Sequence, residues 1–402
     1  MVKIKAFPAV RPSYQEAEAI ADHPYDVVST EETRAILQDN PRSILKVDRA
    51  ESTLDGVAFD DPIVYEKARA LLEEMIQKGE LAFDDQENLY LYEQTFRGRV
   101  QRGLVGLSSV QDYLEGIIRI HEKTIPAKEA DRTNHIDRTG FHIGPIFLIY
   151  RASEQIKALL DQGVEEGEPI FDFVKYETRH RGFRIPNPAA FIEEFQKLDA
   201  IYVADGHHRS KSAVNVFDRD QQSGVIRESD YFLSVAFPSD EVSILPYHRY
   251  LRSLKGLEFS DFLSQMEKFC EIQQLSAFTE PLAKYQITIY ADGHSHRLTL
   301  KPEYRDPDPL RGLDVYNLQR IVLEGIFHMG DPRLDPDMEF IGGIRGLDYL
   351  KDLVDQQGGM AIAMYPTDIQ DLLAVADRGD LMPAKSTWFE PKLLNGLFLH
   401  KM

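Results

Sequence analysis

Cysteine is almost missing from this sequence, because Cys270 is the single cysteine among 402 residues. An intramolecular disulfide and a cysteine-based zinc site are therefore excluded. Long apolar runs are also missing: stretches such as IFLIY at 146–150 are far shorter than the ~20 residues that cross a membrane. The N-terminal segment MVKIKAFPAV lacks the apolar core of a signal peptide. We therefore expect a cytoplasmic protein.

Basic residues are outnumbered by acidic ones. The sequence has 46 lysines and arginines against 66 aspartates and glutamates, a formal net charge of −20. Such a balance disfavours nucleic acid and anionic membranes as partners, because both attract cationic proteins. We expect a small-molecule substrate, and any phosphate site must be a local cationic pocket. The oligomeric state cannot be read from the sequence.

Strand and helix signals alternate along the chain and predict a mixed α/β (α+β) fold. Amphipathic helices are predicted at 62–79 and 109–124. The C-terminal part has further helix signals near 315–326, 346–355 and 367–378. A polar, proline-rich stretch at 301–312, KPEYRDPDPLRG, predicts a long loop or linker.

The stretch IYVADGHHRSKSA, 201–213, has the most concentrated functional signal. A short apolar strand runs into the turn signal Asp205-Gly206, and a helix begins after it. A helix N-terminus attracts anions, and His207, His208, Arg209 and Lys211 could add charged hydrogen bonds there. The pattern favours a phosphate site. The alternative is a capped loop whose histidines only pack. A metal site of the two adjacent histidines is disfavoured, because neighbouring side chains diverge.

A second cluster, RIHEKTIPAKEADR, covers 119–132. His121 and Glu122 end the helix predicted at 109–124, and Lys128 and Arg132 follow. A zinc protease motif is excluded, because Ile125 stands where the second histidine belongs. Glu122 is a candidate base beside cations that bind charged substrate groups. The alternative is an ordinary solvated helix end.

A third cluster, LMPAKSTWFEPKL, surrounds the single tryptophan near the C-terminus. It resembles a phosphate loop, but Ala384 replaces the second glycine and Pro383 lacks an N–H, so we reject that motif. The polar residues gathered here are typical of a ligand site, or of a C-terminal segment that simply docks. The candidate substrate-binding residues are Lys385, Ser386, Glu390 and Lys392.

A fourth segment, HPYDVVSTEE at 23–32, predicts a helix cap from Ser29 or Thr30 with Glu32. Asp26 in the preceding loop is a further site candidate. Neither a glycine-rich dinucleotide fingerprint nor a nucleophile elbow occurs in the sequence.

Taken together, HPYDVV, GLVGLSSVQDYLEGIIRIHEKTIPAKEADR, YVADGHHRSKSA, DPRLDPDMEFIGG and MPAKSTWFEPKLLNG resemble the domain-of-unknown-function family 1015 (DUF1015) nearly end to end. The Asp-Gly-His-His-Arg corner is also similar to the signature turn of the ParB/sulfiredoxin superfamily, which includes a free-serine kinase. The resemblance implies a ParB/sulfiredoxin-like core with large additional α/β elaborations. It implies a nucleotide-binding or phosphate-binding domain at 1–300 and a C-terminal α/β portion at 301–402 that packs back on the site.

The resemblance also implies roles for residues. Gly206, His207, His208 and Arg209 would bind phosphate, and Asp205 would act near the transferred group. His207 is also a catalytic candidate, and Lys211 is a further candidate for phosphate binding. Sulfinic acid repair is disfavoured, because histidines stand where sulfiredoxin has its cysteine. A DNA-partitioning role is disfavoured by the acidity of the chain.

The function that this resemblance implies is phosphoryl transfer between a nucleotide (ATP or ADP) and serine or a similar hydroxy metabolite, with Mg²⁺. Glu122 is the expected base, with Glu51 as second candidate, and no metal-ligand set is predicted from the sequence. His121, Lys128 and Arg132 would bind the substrate together with the third cluster. Two alternatives stay open: a phosphoserine hydrolase, and a nucleotide-sensing module without turnover.

Overall fold

Two units make up the chain in this computed structural model, which describes residues 1–185 and 187–402. The first unit contains residues 1–120, 124–242 and 391–402. The second unit contains residues 121–123 and 243–390. The predicted boundary after residue 300 therefore differs from the observed division. It lies inside the second unit, because strands from both sides of it share one sheet there.

Strands occur in both units and are numbered along the whole chain. Their bounds are β1 (Ile4–Lys5), β2 (Val10–Arg11), β3 (Ala82–Phe83), β4 (Leu89–Phe96), β5 (Arg99–Ser109), β6 (Ile118–Arg119), β7 (Phe141–His142), β8 (Ile146–Tyr150), β9 (Pro169–Lys175), β10 (Thr178–Ile185), β11 (Ile201–Asp205), β12 (Tyr231–Pro238), β13 (Ser243–Leu245), β14 (Tyr247–Leu251), β15 (Cys270–Leu275), β16 (Gln286–Ala291), β17 (His294–Leu300), β18 (Met338–Gly342), β19 (Met360–Met364), β20 (Trp388–Glu390) and β21 (His400–Lys401).

The helices are numbered in the same way. Their bounds are α1 (Ala17–Ile20), α2 (Thr30–Asp39), α3 (Leu45–Asp48), α4 (Pro62–Gln77), α5 (Val110–Leu114), α6 (Pro126–Thr139), α7 (Glu154–Glu166), α8 (Ala189–Gln196), α9 (His207–Ser223), α10 (Phe259–Met266), α11 (Asp314–Asn317), α12 (Gly346–Gln357) and α13 (Ile369–Asp377). A π-helical segment, Leu318–Glu324, continues α11. Within the described residues, no helix has the length and apolarity that a membrane crossing needs.

Local sequence signals predicted several of these elements well. The helix predicted at 62–79 is α4, whose first turn holds Pro62 and whose cap is the Asp61 side chain. The helix predicted at 109–124 forms only in its first part, as α5, and the prediction is wrong for the rest. Gly116 adopts a left-handed backbone with φ 73° after α5, and the chain then pairs as β6 with β11. Edge pairing in the sheet therefore overrides the helical periodicity of this stretch.

The first unit is built on a nine-stranded mixed sheet, which confirms the predicted mixed α/β class. Its order is β6-β11-β8-β12-β5-β4-β10-β9, and β1 pairs with β5 beyond the start of β4. Strand β11 runs parallel to β6 and antiparallel to β8. Buried apolar residues of the sheet pack against residues of the helices, with Leu148, Val203 and Phe232 on strands and Phe195 and Val214 on helices.

A smaller apolar cluster in the first unit joins the two ends of the chain. It includes Val10, Val47, Leu72, Phe141 and Leu399. The backbones of Val10 and Leu399 exchange hydrogen bonds of 2.9 and 2.8 Å, and β21 pairs with β7. The segment 391–402 is therefore an integral part of the first unit.

The second unit is built on a six-stranded antiparallel sheet of order β15-β17-β16-β19-β14-β18. Helix α12 covers this sheet through Leu350 and Val354, which pack with Tyr250, Tyr290 and Ile341. Strands β13 and β20 form a separate two-stranded sheet. The π-helical segment and α11 line a small apolar cavity that also holds the Asp314 carboxyl. Burial raises the pKa of Asp314 to about 7, although the Tyr285 N–H donates to it at 2.8 Å.

Packing at Gly103 gives the first testable prediction. A Cβ there would lie 2.5 Å from Val235 Cγ1, so we expect Gly103→Ala to lower the free energy of unfolding by ~1–3 kcal/mol. Gly163→Ala is the control within α7 of the same unit, where the nearest atom lies at 3.4 Å. Helix propensity should make this variant more stable by up to ~1 kcal/mol. Urea unfolding followed by circular dichroism measures both, and equal stabilities would contradict the packing argument.

Asp314 gives a pH prediction for the second unit. Its folded pKa of about 7 lies above the unfolded value, so its burial lowers stability as the pH rises from ~4 to 7. We expect Asp314→Asn to remove this loss and to stabilise the unit at pH 8 by roughly 2–4 kcal/mol. Urea unfolding followed by the fluorescence of Trp388, the single tryptophan, reports on this unit. A pH profile identical to that of the parent protein would contradict the prediction.

Candidate functional site

The corner between β11 and α9 lies where the sequence placed it. Strand β11 ends at Asp205 after a register irregularity that follows Val203, and α9 begins at His207. Gly206 joins them with φ 99°, a left-handed backbone that favours glycine. Within the described residues no side chain caps this helix start. The first N–H groups of an α-helix have no intrahelical acceptor, so α9 offers donors and partial positive charge at this corner.

The guanidinium of Arg209 folds back over this helix start. Its Nη1 donates to the Pro145 carbonyl at 2.6 Å. A Cβ on Gly206 would lie only 3.2 Å from Nη2 and 3.3 Å from Nε of Arg209. The backbone conformation therefore favours glycine at 206, and any larger residue would also shift the Arg209 guanidinium. In the part of the chain that the structure describes, the enclosed Nε of Arg209 has no hydrogen-bond acceptor.

A second cation reaches the corner from the C-terminal segment. Lys392 Nζ donates to Asp205 Oδ2 at 2.8 Å, although the two residues are 187 positions apart. Their side chains are 11% and 27% exposed, so this ion pair is only partly shielded from water. The structure thus brings together two predicted site residues from different clusters.

The loop that begins at Asp22 lies next to this cation. Asp22 and Asn395 pair through their backbones at 3.2 and 2.9 Å. The His23 ring stacks on Tyr176 with centroids 3.9 Å apart and an interplanar angle of 18°. Burial, with smaller contributions from the charges of Lys175 and Lys392, lowers the pKa of His23 to about 4. The loop therefore belongs to the same corner as Asp205 and Arg209.

Arg132 sits in a buried network rather than at an open surface. Its Nε donates to Asp131 Oδ2 at 2.8 Å and its Nη1 to Asp48 Oδ1 at 3.0 Å. Its Cζ lies 4.1 Å from the centroid of the Tyr25 ring, and Asn395 Nδ2 donates to Asp48 Oδ2 at 2.7 Å. Burial lowers the pKa of Arg132, but Asp131 and Asp48 outweigh it and hold the pKa above the usual range. These contacts assign Arg132 a structural role, which differs from its predicted role in substrate binding.

The remaining predicted residues of the first unit lie on α6 and α9. His207 is buried in the first turn of α9, and Lys211 follows on the same helix. His208 Nε2 accepts a hydrogen bond from the Ile125 N–H at 3.0 Å, so this ring joins the start of α9 to the start of α6. Lys128 is exposed on α6. Glu51, the second candidate base, pairs with Arg49 Nη2 at 2.9 Å.

His121 and Glu122 belong to the second unit and lie outside any helix. The Met382 N–H donates to the His121 carbonyl at 2.8 Å, and His121 Nε2 lies 3.4 Å from Thr387 Oγ1. Two of the predicted clusters therefore meet inside this unit. Glu122 lines an open pocket of about 470 Å³, whose wall also includes Lys123, Arg333 and residues 381–384.

The predicted residues around the tryptophan hold a turn of the second unit together. Lys385 has a left-handed backbone with φ 59°, and its carbonyl accepts from Arg249 Nη2 at 3.1 Å. Ser386 Oγ donates to the Pro383 carbonyl at 2.6 Å. Glu390 accepts from Trp388 Nε1 at 3.0 Å. Lys385, Ser386 and Glu390 thus lie in the second unit, whereas Lys392 lies in the first.

Sequence reasoning missed several residues of the corner. His23, Tyr25 and Asn395 contact or flank the residues of this corner. In the motif HPYDVV, however, only Asp26 was a predicted site residue, and the structure shows it exposed. The histidine and tyrosine in this motif were the available signal. Asn395 gave none, because its contact with Asp48 spans 347 positions.

The family model of DUF1015, described as a protein of unknown function, matches residues 4–316. No curated protein matches the chain. Among solved structures, the chain is similar to SbnI with a C-terminal truncation from Staphylococcus aureus, at 14% identity over 72% of this chain and 85% of that one, with a TM-score of 0.40. A free serine kinase in complex with AMP matches at 11% identity over 78% and 93%, with a TM-score of 0.37.

A conserved hypothetical protein from Pyrococcus furiosus matches at 10% identity over 73% of this chain and 93% of that one, with a TM-score of 0.36. Structural similarities this weak do not establish the role of any residue in this chain. The ParB/sulfiredoxin-like core stays a prediction.

The structural role of Arg132 gives the third prediction. We expect Arg132→Met to lower the free energy of unfolding by about 3–5 kcal/mol, because it leaves two buried carboxylates without their partner. Arg138→Met is the control on the same helix, where the side chain is 50% exposed and pairs with Glu66. An exposed pair contributes at most about 1 kcal/mol. Urea unfolding compares the two variants, and similar losses would contradict the structural role.

Proposed function

The chain belongs to the DUF1015 family, and we propose that it transfers a phosphoryl group between a nucleotide and serine or a similar small hydroxy metabolite. The observation that carries this proposal is the corner after β11. Arg209, Lys392 and the start of a 17-residue helix gather there. All three favour a bound anion. Acidic residues outnumber basic ones 66 to 46 in this chain, so two cations beside a helix start support a phosphate ligand there.

Phosphoryl transfer needs charge neutralisation and positioning more than covalent help from the protein. The N–H groups of α9 and the Arg209 guanidinium would bind phosphate oxygens. Lys392 would break its hydrogen bond to Asp205 and pair with the negatively charged phosphate instead. The substrate hydroxyl oxygen forms the new bond to phosphorus while the bond to the nucleotide oxygen breaks.

The hydroxyl proton must pass to a base. Glu122 stays a prediction for this role, and it lies in the second unit beside a pocket large enough for a small metabolite. Glu51 is less suited, because its carboxylate is buried and already paired with Arg49.

Mg²⁺ usually binds through one or two carboxylates together with substrate phosphates. Asp205 is a partly exposed carboxylate at the corner, so it fits this donor set. When bound, the ion would neutralise phosphate charge.

Arg209→Ala tests the proposal. Phosphorus NMR follows phosphoserine with Mg²⁺, first alone and then with AMP or ADP, and serine with ATP or ADP. We expect nucleotide-dependent exchange of the phosphoryl group, and a loss of at least ~100-fold in rate in the variant, as for the removal of one donor to a developing charge. Arg219→Ala is the control, because this exposed residue lies farther along α9 and pairs with Asp137.

Other outcomes separate the alternatives. Inorganic phosphate released from phosphoserine without nucleotide would identify a hydrolase. A nucleotide-induced rise in melting temperature without turnover would identify a sensor. Full activity in a folded Arg209→Ala protein would show that the site lies elsewhere.

A further inference from the structure

The His23 ring has an enclosed nitrogen, Nδ1, with no hydrogen-bond partner among residues 1–185 and 187–402. Buried polar atoms are normally hydrogen-bonded, so such an exception needs a physical explanation. The other ring nitrogen, Nε2, is not among the enclosed atoms. The ring therefore presents one nitrogen to the protein interior and one outward.

Three contacts fix this ring in place. The His23 backbone N–H donates to Asp22 Oδ1 at 2.9 Å, and the ring stacks on Tyr176. The Tyr176 hydroxyl donates to the same Asp22 oxygen at 2.6 Å. Tyr176 and Glu177 have φ of 51° and 58°, so the turn that presents Tyr176 keeps a backbone that costs energy outside glycine. The ring cannot rotate to find a partner for Nδ1 without breaking this arrangement.

The surroundings of the ring define its protonation state. Burial lowers its pKa to about 4, Lys175 and Lys392 lower it as well, and Asp22 raises it. The ring is therefore neutral at pH 7. An enclosed N–H without acceptor is rarer than an enclosed acceptor without donor. The hydrogen therefore belongs on Nε2, and Nδ1 is the unprotonated nitrogen.

The His23 ring lies near the lysine of the proposed phosphate site. Lys392 donates to Asp205 and also acts electrostatically on His23. The backbone pairing of Asp22 with Asn395 holds the loop against the segment that carries Lys392. His23 thus adds a neutral, oriented donor near Lys392.

We propose that His23 donates a hydrogen bond from Nε2–H to a phosphate oxygen of the ligand bound at the 205–209 corner. The inference rests on the proposed function insofar as that ligand is a phosphate compound. A nearby phosphate favours the imidazolium form, so binding should raise the pKa of the ring. The charged and titratable groups around the ring are Asp22, Lys175, Tyr176, His180 and Lys392.

The test uses the full chain labelled with ¹⁵N-histidine. Long-range ¹H–¹⁵N spectra report the tautomer and the pKa of each ring, and His23→Ala assigns the signal. Inorganic phosphate and then ADP are added. We expect the Nε2–H tautomer without ligand, and a pKa rise of at least ~1 unit with saturating ADP, as for an opposite charge nearby. His142 is the control ring in the same unit; burial lowers its pKa to about 3, and it should not change.

The outcomes distinguish this inference from the proposed function. An ADP response at other residues with an unchanged His23 ring would overturn the inference alone. A His23 response without any phosphoryl transfer would support it and contradict the proposed function. No response to phosphate or ADP anywhere would overturn both.

Kinetics give a second readout. His23→Ala should raise the KM for the nucleotide by about tenfold, the value of one hydrogen bond to a charged group, with little change in kcat. His23→Gln, which keeps an N–H at the place of Nε2, should recover part of this loss. A Gln variant as weak as the Ala variant would assign His23 to packing alone.

Discussion

The buried guanidinium of Arg132 is the constraint on which the candidate site depends. Removing such a charge from water costs several kcal/mol, which only close carboxylate partners offset. Asp131 and Asp48 are these partners, and they lie on α6 and at the end of α3. Asp48 in turn accepts from the Tyr25 N–H and from Asn395. One charge thus fixes two helices, the loop that begins at Asp22 and the C-terminal segment.

This arrangement explains how a short C-terminal segment supplies a residue to a distant corner. Lys392 lies three positions before Asn395, so anchoring Asn395 on Asp48 determines where the Lys392 ammonium can reach. Gly144 contributes as well, because a Cβ there would lie 1.8 Å from Asn395 Oδ1. Any larger residue at 144 would push the segment away and move Lys392 from Asp205.

The parts of the site that could be predicted are those specified by neighbours in sequence. The Asp-Gly turn and the start of α9 follow from local backbone preferences, as does the capping box of α2, where Ser29 and Glu32 exchange hydrogen bonds. The contacts that decide roles are long-range. Arg132 and Asp48 are 84 positions apart, and no pattern tells whether a cation in a polar stretch is already paired. The same limit explains the incorrect helix at 109–124, where pairing with β11 decides the structure.

Exposure separates the ion pairs that hold the fold from those that a ligand can replace. The pairs of Arg132 have side chains at most 9% exposed, so breaking them costs several kcal/mol and no ligand of ordinary affinity would do so. The Lys392–Asp205 pair is more open on its carboxylate side, where Asp205 is 27% exposed while Lys392 is 11% exposed, so breaking it costs less than breaking the pairs of Arg132. In the proposed function a phosphate group takes Lys392 from Asp205, while Arg132 stays where it is. Asp205 meanwhile keeps the charge of Lys392 balanced in the absence of ligand, which lets cations gather at one corner without repelling each other.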